Sequence, residues 1–231
     1  MSGKHELLER LRGRLIVSVQ AAPGSALDDP VVLSAMAAAA KAAGAAGLRL
    51  QGEANIAAVR RRVDLPVIGI VKREYPGFEP YITPTLREVG ELLNLGVEIV
   101  AFDATGRMRP GGATVPQIVT EIQDGGALAM ADCALAADGV AAQAAGADII
   151  ATTLCGYTKE TAGCALPALD LVGAFAELDA FVICEGGIHS PAQGAAALGA
   201  GAAAVVVGTA ITNVEWLTRE YAGALQRSSP G

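Results

Sequence analysis

The stretch "PVIGIVKREYPGF" (residues 66–78) sets Lys72 directly after five apolar or glycine residues, Val67 to Val71. Lysine is among the side chains least often fully buried, so one at the end of an interior-type strand asks for a chemical reason. A second apolar run, "AFVICEGGIHSP", ends in Glu185, Gly186 and Gly187, and a third, "AAVVVGTAIT", ends in Gly208 and Thr209. A partly desolvated lysine has its pKa lowered and can act as a base, or it can condense with a carbonyl as a Schiff base. A nearby carboxylate opposes that shift, so both chemistries stay open. Glycine-rich strand ends present backbone N–H groups with no side chain in the way, which suits a phosphate. Tight turns alone also call for glycine, but two successive strand ends with the feature favour the phosphate.

Other polar residues fall within or just after apolar runs. These are Gln20, Arg49 and Gln51, Asp103 and Thr105, Asp132, and Thr152 with Thr153. Any one of them could simply mark an exit into solvent; the set, delivered to one rim, reads as a site. The chain has two histidines, His5 near the N-terminus and His189 after the Glu185 run, so a multi-histidine metal centre is poorly supported. Asp103, Asp132 and Glu185 could hold Mg²⁺, but a carboxylate site beside a lysine is an odd choice. No metal and no cofactor are expected. Lys72 and Glu185 remain as the proton-transfer pair, acting on a phosphorylated carbonyl compound.

Eight apolar runs must position these groups: residues 14–19, 47–50, 66–71, 97–102, 127–131, 148–152, 180–184 and 203–207. They are short and apolar almost throughout, as strands covered on both faces are. A short helix over residues 3–12 precedes them, and helical stretches alternate with them. Asp29 with Pro30, Thr83 with Pro84, and Ser190 with Pro191 read as helix starts, and Gly44 and Gly96 as stops. The pattern predicts an α/β fold, a (β/α)8 TIM barrel of the phosphate-binding type, forming one domain over residues 1–231. A doubly wound sheet would carry a G-x-G-x-x-G turn after its first strand, and "VQAAPGSALDDP" lacks one. In a barrel, chemistry gathers at the C-terminal strand ends, and strands 3 and 7 face each other across the mouth.

Composition narrows the rest. A formal net charge of −7 argues against nucleic acid and anionic membranes as partners, and an aromatic content of 4% against a base-stacking platform. No signal peptide or membrane span is read, which points to the cytoplasm. Cys133, Cys155, Cys164 and Cys184 fit no zinc spacing and read as reduced fillers. Trp216, Leu217 and Leu225 give the last helix an apolar face, read as core or as a subunit interface; a homodimer is the default for such barrels. The loop "REYPGFEPY" after Lys72 reads as a partial lid.

The motifs "GIVKREYPG", "ITPT", "AFDAT", "MADC", "ATTLCGYT", "CEGGI" and "VVVGTAIT" occur in this order, from about Leu15 to Thr212. Together they resemble the N-acetylmannosamine-6-phosphate 2-epimerases. The resemblance implies an amino-sugar and sialic-acid catabolic isomerase that inverts C2 of N-acetylmannosamine 6-phosphate to give N-acetylglucosamine 6-phosphate. It implies catalytic roles for Lys72 and Glu185 and substrate contacts from Gln20, Arg49 and Asp132, with Thr153 and Tyr157 of "ATTLCGYT" beside them. Gly186, Gly187, Gly208 and Thr209 would hold the phosphate. Asn213 stands where the family often has an arginine, and Arg107 or Arg109 is a candidate to compensate. A Schiff-base aldolase using Lys72 and a non-catalytic phosphosugar-binding barrel are the alternatives.

Overall fold

Strands apolar on both faces need cover on both, and the chain supplies it by closing its sheet. The computed structural model describes residues 3–227. Strands β1 (Leu15–Val19), β2 (Gly47–Gln51), β3 (Val67–Ile70), β4 (Ile99–Asp103), β5 (Leu128–Asp132), β6 (Ile149–Ala151), β7 (Phe181–Glu185) and β8 (Ala204–Val207) form a closed barrel in sequence order. Neighbours are parallel throughout, and β8 returns to β1 through Ile16↔Val206 and Val17↔Val207. Helix α1 (Gly3–Leu11) precedes β1. Around the sheet run α2 (Pro30–Ala42), α3 (Glu53–Arg60), α4 (Leu86–Asn94), α5 (Val115–Asp124), α6 (Ala136–Ala144), α7 (Leu169–Ala176) and α8 (Pro191–Gly199). After β8 come a single turn, α9 (Thr209–Thr212), and the last helix, α10 (Val214–Arg227). This is the (β/α)8 barrel with an N-terminal helix that the repeat of strand and helix predicts.

Strand alternation sorts the core into two layers. Inside the barrel lie Ile16, Ile68, Ile70, Ile99, Met130, Ile149, Ile183 and Val206, joined by Leu11 of α1. Outside, Val17, Leu48, Val100, Phe102, Ile150 and Val182 meet helical Leu33, Val89, Ile118, Val172 and Phe175. The helix starts follow cap chemistry. The Asp29 carboxylate accepts from the Val31 and Val32 N–H groups, and Ser190 exchanges capping-box bonds with Gln193.

One start differs from the sequence reading. Thr85, not Thr83, caps α4, in a box with Glu88. Thr83 is instead tied to the strand: its N–H donates to Val71 O at 2.7 Å and its hydroxyl accepts from Val71 N–H at 3.2 Å. Its φ of 42° lies in the left-handed region, which a β-branched residue adopts only when its surroundings impose it. The last helix also differs. None of its residues is buried: Leu217 is 39% and Leu225 70% exposed, so its apolar face is not core.

Candidate active site

The same alternation aims the polar residues. Ile68 and Ile70 face the axis, so the next inward position on that line is Lys72. By the same count Ser18, Gln20, Arg49, Asp132, Thr153, Glu185 and Gly208 fall on the axis side of their strands. They surround a cleft of about 710 Å³ at the C-terminal mouth. Gln20, Arg49, Lys72, Thr153, Tyr157 and Glu185 line it, as do Gly186, Gly187, Gly208 and Thr209. Asp132 does not: it is fully buried behind Arg49.

Arg49 is the hub. Its Nη1 and Nη2 donate to the two Asp132 oxygens at 3.1 and 2.6 Å, and Nη1 also lies 3.0 Å from Glu185 Oε2. Thr153 Oγ1 donates to Asp132 at 2.6 Å and lies 3.4 Å from Glu185 Oε2. A side chain 1% exposed cannot keep its charge without such partners. Burial works against the guanidinium, and Asp132 with Glu185 outweigh it, so its pKa stays above the usual range. The Arg49 Nε–H is buried and meets no acceptor among the described residues.

Glu185 is pushed up to about 7. Burial is the main cause and the Asp132 charge adds to it, against the pull of Arg49, the Thr153 hydroxyl and Lys72. Lys72 is solvent-accessible in the cleft, yet its pKa is lowered, first by the protein walls that strip hydration and then by Arg49. Glu185 and Asp132 oppose that shift. An acid and a base drawn toward neutrality from opposite sides can exchange protons at physiological pH.

The backbone under both groups is tied in place. Lys72 lies beyond the end of β3 but pairs antiparallel with Ile82, and Arg73 N–H donates to Tyr81 O at 2.9 Å. The loop read as a lid is therefore strapped back at both ends. Arg73 pairs with Glu88 and Glu91, and Tyr75 Oη donates to Glu88 at 2.8 Å. Across the mouth, Thr152 Oγ1 donates to Glu185 O at 2.9 Å and accepts from Glu185 N–H at 3.1 Å. Gly187 has φ +67°, and a Cβ there would lie 2.3 Å from Leu166 Cβ. At Gly208 a Cβ would lie 3.1 Å from Ser18 Cβ. At Gly187 only glycine lets the loop approach so closely, and at Gly208 any side chain would have to push Ser18 aside.

Arg107 and Arg109 do not reach the cleft. Arg107 pairs with Asp103 at 2.6 Å, and Arg109 donates to the Asp103 and Thr105 carbonyls, so neither replaces an arginine at position 213. Asn213 lines the cleft, with its Oδ1 accepting from Trp216 N–H at 2.8 Å to start the last helix. His189 lines it too and stacks on Trp216, ring centroids 4.8 Å apart. Sequence reasoning missed Tyr81. The Lys72↔Ile82 pairing turns it into the cleft wall, and only the pairing could have signalled it. Among the described residues, no group of three His, Cys, Asp or Glu side chains is placed to hold a metal ion. The cysteines are free thiols, although Cys155 and Cys164 lie side by side.

A lysine and a carboxylate converging on one mouth, with glycine loops beside them, define a (β/α)8 barrel with an acid–base cleft. A family model described as "Putative N-acetylmannosamine-6-phosphate epimerase" matches residues 33–227. A relative from Edwardsiella ictaluri (strain 93-146), named "Putative N-acetylmannosamine-6-phosphate 2-epimerase", is 47% identical over 93% of this chain and 90% of its own length. One of the same name from Yersinia pestis (strain Pestoides F) is 45% identical over 98% and 96%. The solved N-acetylmannosamine-6-phosphate 2-epimerase from Clostridium perfringens superposes with a TM-score of 0.93 at 39% identity, covering 97% of this chain and 98% of that one. The chain belongs to the N-acetylmannosamine-6-phosphate epimerase family.

Proposed function

We propose that this chain interconverts N-acetylmannosamine 6-phosphate and N-acetylglucosamine 6-phosphate by inverting C2, a carbohydrate epimerisation of amino-sugar and sialic-acid breakdown. The observation that carries the reading is the placement of Lys72 and Glu185 on opposite strands of one cleft, with pKa values drawn toward each other. The hydrogen on C2 is acidic only when C1 is a carbonyl, so the sugar ring opens first. Glu185 moves the proton between O1 and the ring oxygen. Lys72 exchanges the C2 proton, and the resulting enolate, with its charge on O1, regains a proton on the opposite face. The unpartnered Arg49 Nε–H supports a contact to substrate oxygen there, where a donor fixed in a dry site stabilises developing negative charge. Gln20, Thr153 and Tyr157 orient the N-acetyl and hydroxyl groups, and Asp132 acts through Arg49. Backbone N–H groups at Gly186, Gly187, Gly208 and Thr209 hold the phosphate.

A single barrel domain carries this activity, and a phosphosugar substrate supports a cytoplasmic location. The exposed Val214, Leu217 and Tyr221, spaced along one face of α10, support a homodimer, which light scattering of the purified protein would reveal. Turnover in D₂O followed by NMR tests the chemistry: deuterium enters C2 of both epimers. Epimers that interconvert without taking up deuterium would overturn the mechanism. Borohydride treatment leaves the protein mass unchanged; a covalent adduct at Lys72 would instead mark an imine-forming enzyme.

A further inference from the structure

Between β6 and α7 the chain runs through "TTLCGYTKETAGCALPA", residues 152–168. Two of the four cysteines lie in this segment, and its own hydrogen bonds bring them together. Gly156 N–H donates to Thr161 Oγ1 at 2.9 Å, and Thr158 and Thr161 share a hydroxyl contact at 2.9 Å. Cys164 N–H closes a turn onto Thr161 O at 3.1 Å. The fold-back leaves Cys155 Sγ 3.0 Å from Cys164 Sγ, whereas a disulfide needs about 2.0 Å. A small side-chain adjustment closes that gap. Cys133 and Cys184 are fully buried elsewhere, and neither has such a neighbour.

We infer that Cys155 and Cys164 form an oxidisable dithiol, a site at which a disulfide of small-thiol type, such as oxidised glutathione, closes a strap across the β6–α7 loop. The two thiols differ in access, which sets the order of events. Cys155 is buried and its thiol is pushed up to about 12 by burial and by Cys164, so it is the poorer attacking group. Cys164 is half-buried and reachable. Its thiolate attacks one sulfur of the glutathione disulfide, and one glutathione leaves as thiolate. Cys155 then loses its proton and attacks Cys164 Sγ, releasing the second glutathione. Two protein thiols are oxidised and one small disulfide is reduced to two thiols, so electrons balance.

The strap would fasten a working part of the barrel. The loop brings Thr153, Leu154 and Tyr157 to the cleft, and its Leu166 lies against Gly187. The test treats the folded protein with oxidised glutathione, then unfolds it and counts thiols by alkylation and mass spectrometry. Two of the four thiols should be lost, the peptide map should join Cys155 to Cys164, and dithiothreitol should reverse the change. The oxidised protein should melt roughly 5 °C higher, because closing the loop restricts the unfolded chain. In Cys164→Ser and in Cys155→Ser both the bridge and the thermal shift should vanish. Four free thiols after treatment, a bridge to Cys133 or Cys184, or a bridge formed only in urea would overturn the inference.

Discussion

Lys72 and Arg49 are two cations facing one cleft, and the fold holds them there at a cost. Burial and Arg49 lower the folded pKa of Lys72 below its unfolded value. The folded state therefore binds its proton less tightly than the unfolded chain does, and the penalty is fully present below the folded pKa. It fades as pH rises from the folded pKa toward the unfolded one. Lys72→Met should thus raise the melting temperature at pH 7 by a few degrees while lowering C2 exchange by about 10³-fold; calorimetry and NMR exchange read the two effects. A melting temperature that falls would contradict this balance. Glu185 gives the complementary test. Its carboxylate form is the one that takes the O1 proton, so kcat/KM should fall as pH drops through about 7. Asp132→Asn removes a charge that raises this pKa and frees Arg49 to lower it further. The acid limb of the pH profile should move to lower pH, and the broken buried pair should cost about 3–5 kcal/mol of stability. An unmoved limb would show that another group sets it. The ends of this network were legible in the sequence, because each follows an apolar run. The pairing of Arg49 with Asp132 was not, since residues so far apart in the chain meet only once the barrel closes.

The strand–helix alternation was readable because each strand is a mostly apolar run and α2 and α8 open on Asp29-Pro30 and Ser190-Pro191. The start of α4 was misread for a physical reason. Two threonines flank Pro84, and a long-range pairing with Val71 claims Thr83, leaving Thr85 to cap. The glycines of the β7–α8 loop were legible as glycines but not as close contacts. Gly187→Ala should drive a methyl into Leu166 and displace the loop, raising KM at least tenfold and costing about 1–3 kcal/mol. Gly139→Ala is the matched control. Its Cβ would lie 2.3 Å from the Phe175 ring between α6 and α7, away from the cleft. It should lose similar stability, by denaturant unfolding, with KM unchanged. If both variants lost substrate affinity equally, KM would be reporting general loosening rather than the Gly187 loop.

The barrel as a whole divides stability from chemistry along its axis. At the C-terminal mouth the inward positions are charged or polar, and the fold tolerates a buried arginine, a displaced acid pKa and crowded cations. At the other end the inward positions are Ile16, Ile68, Ile99, Leu128, Ile149 and Phe181, and helix α1 closes the opening. Leu11 is fully buried among them, the Arg12 guanidinium sits 5.1 Å from the Phe181 ring centroid, and Lys4 Nζ donates to Ala127 O at 2.9 Å. Leu11→Ala leaves a hole in this floor and should cost about 2–5 kcal/mol, lowering the melting temperature by about 10 °C. Because Leu11 belongs to the helix that closes the end opposite Lys72 and Glu185, kcat and KM at 25 °C should stay within about twofold of the parent chain, as expected for the stability face of such a barrel. Melting curves and steady-state kinetics on one preparation decide the matter. Equal losses in stability and turnover would mean that the floor and the mouth are coupled through the strands, and that the separation along the axis does not hold.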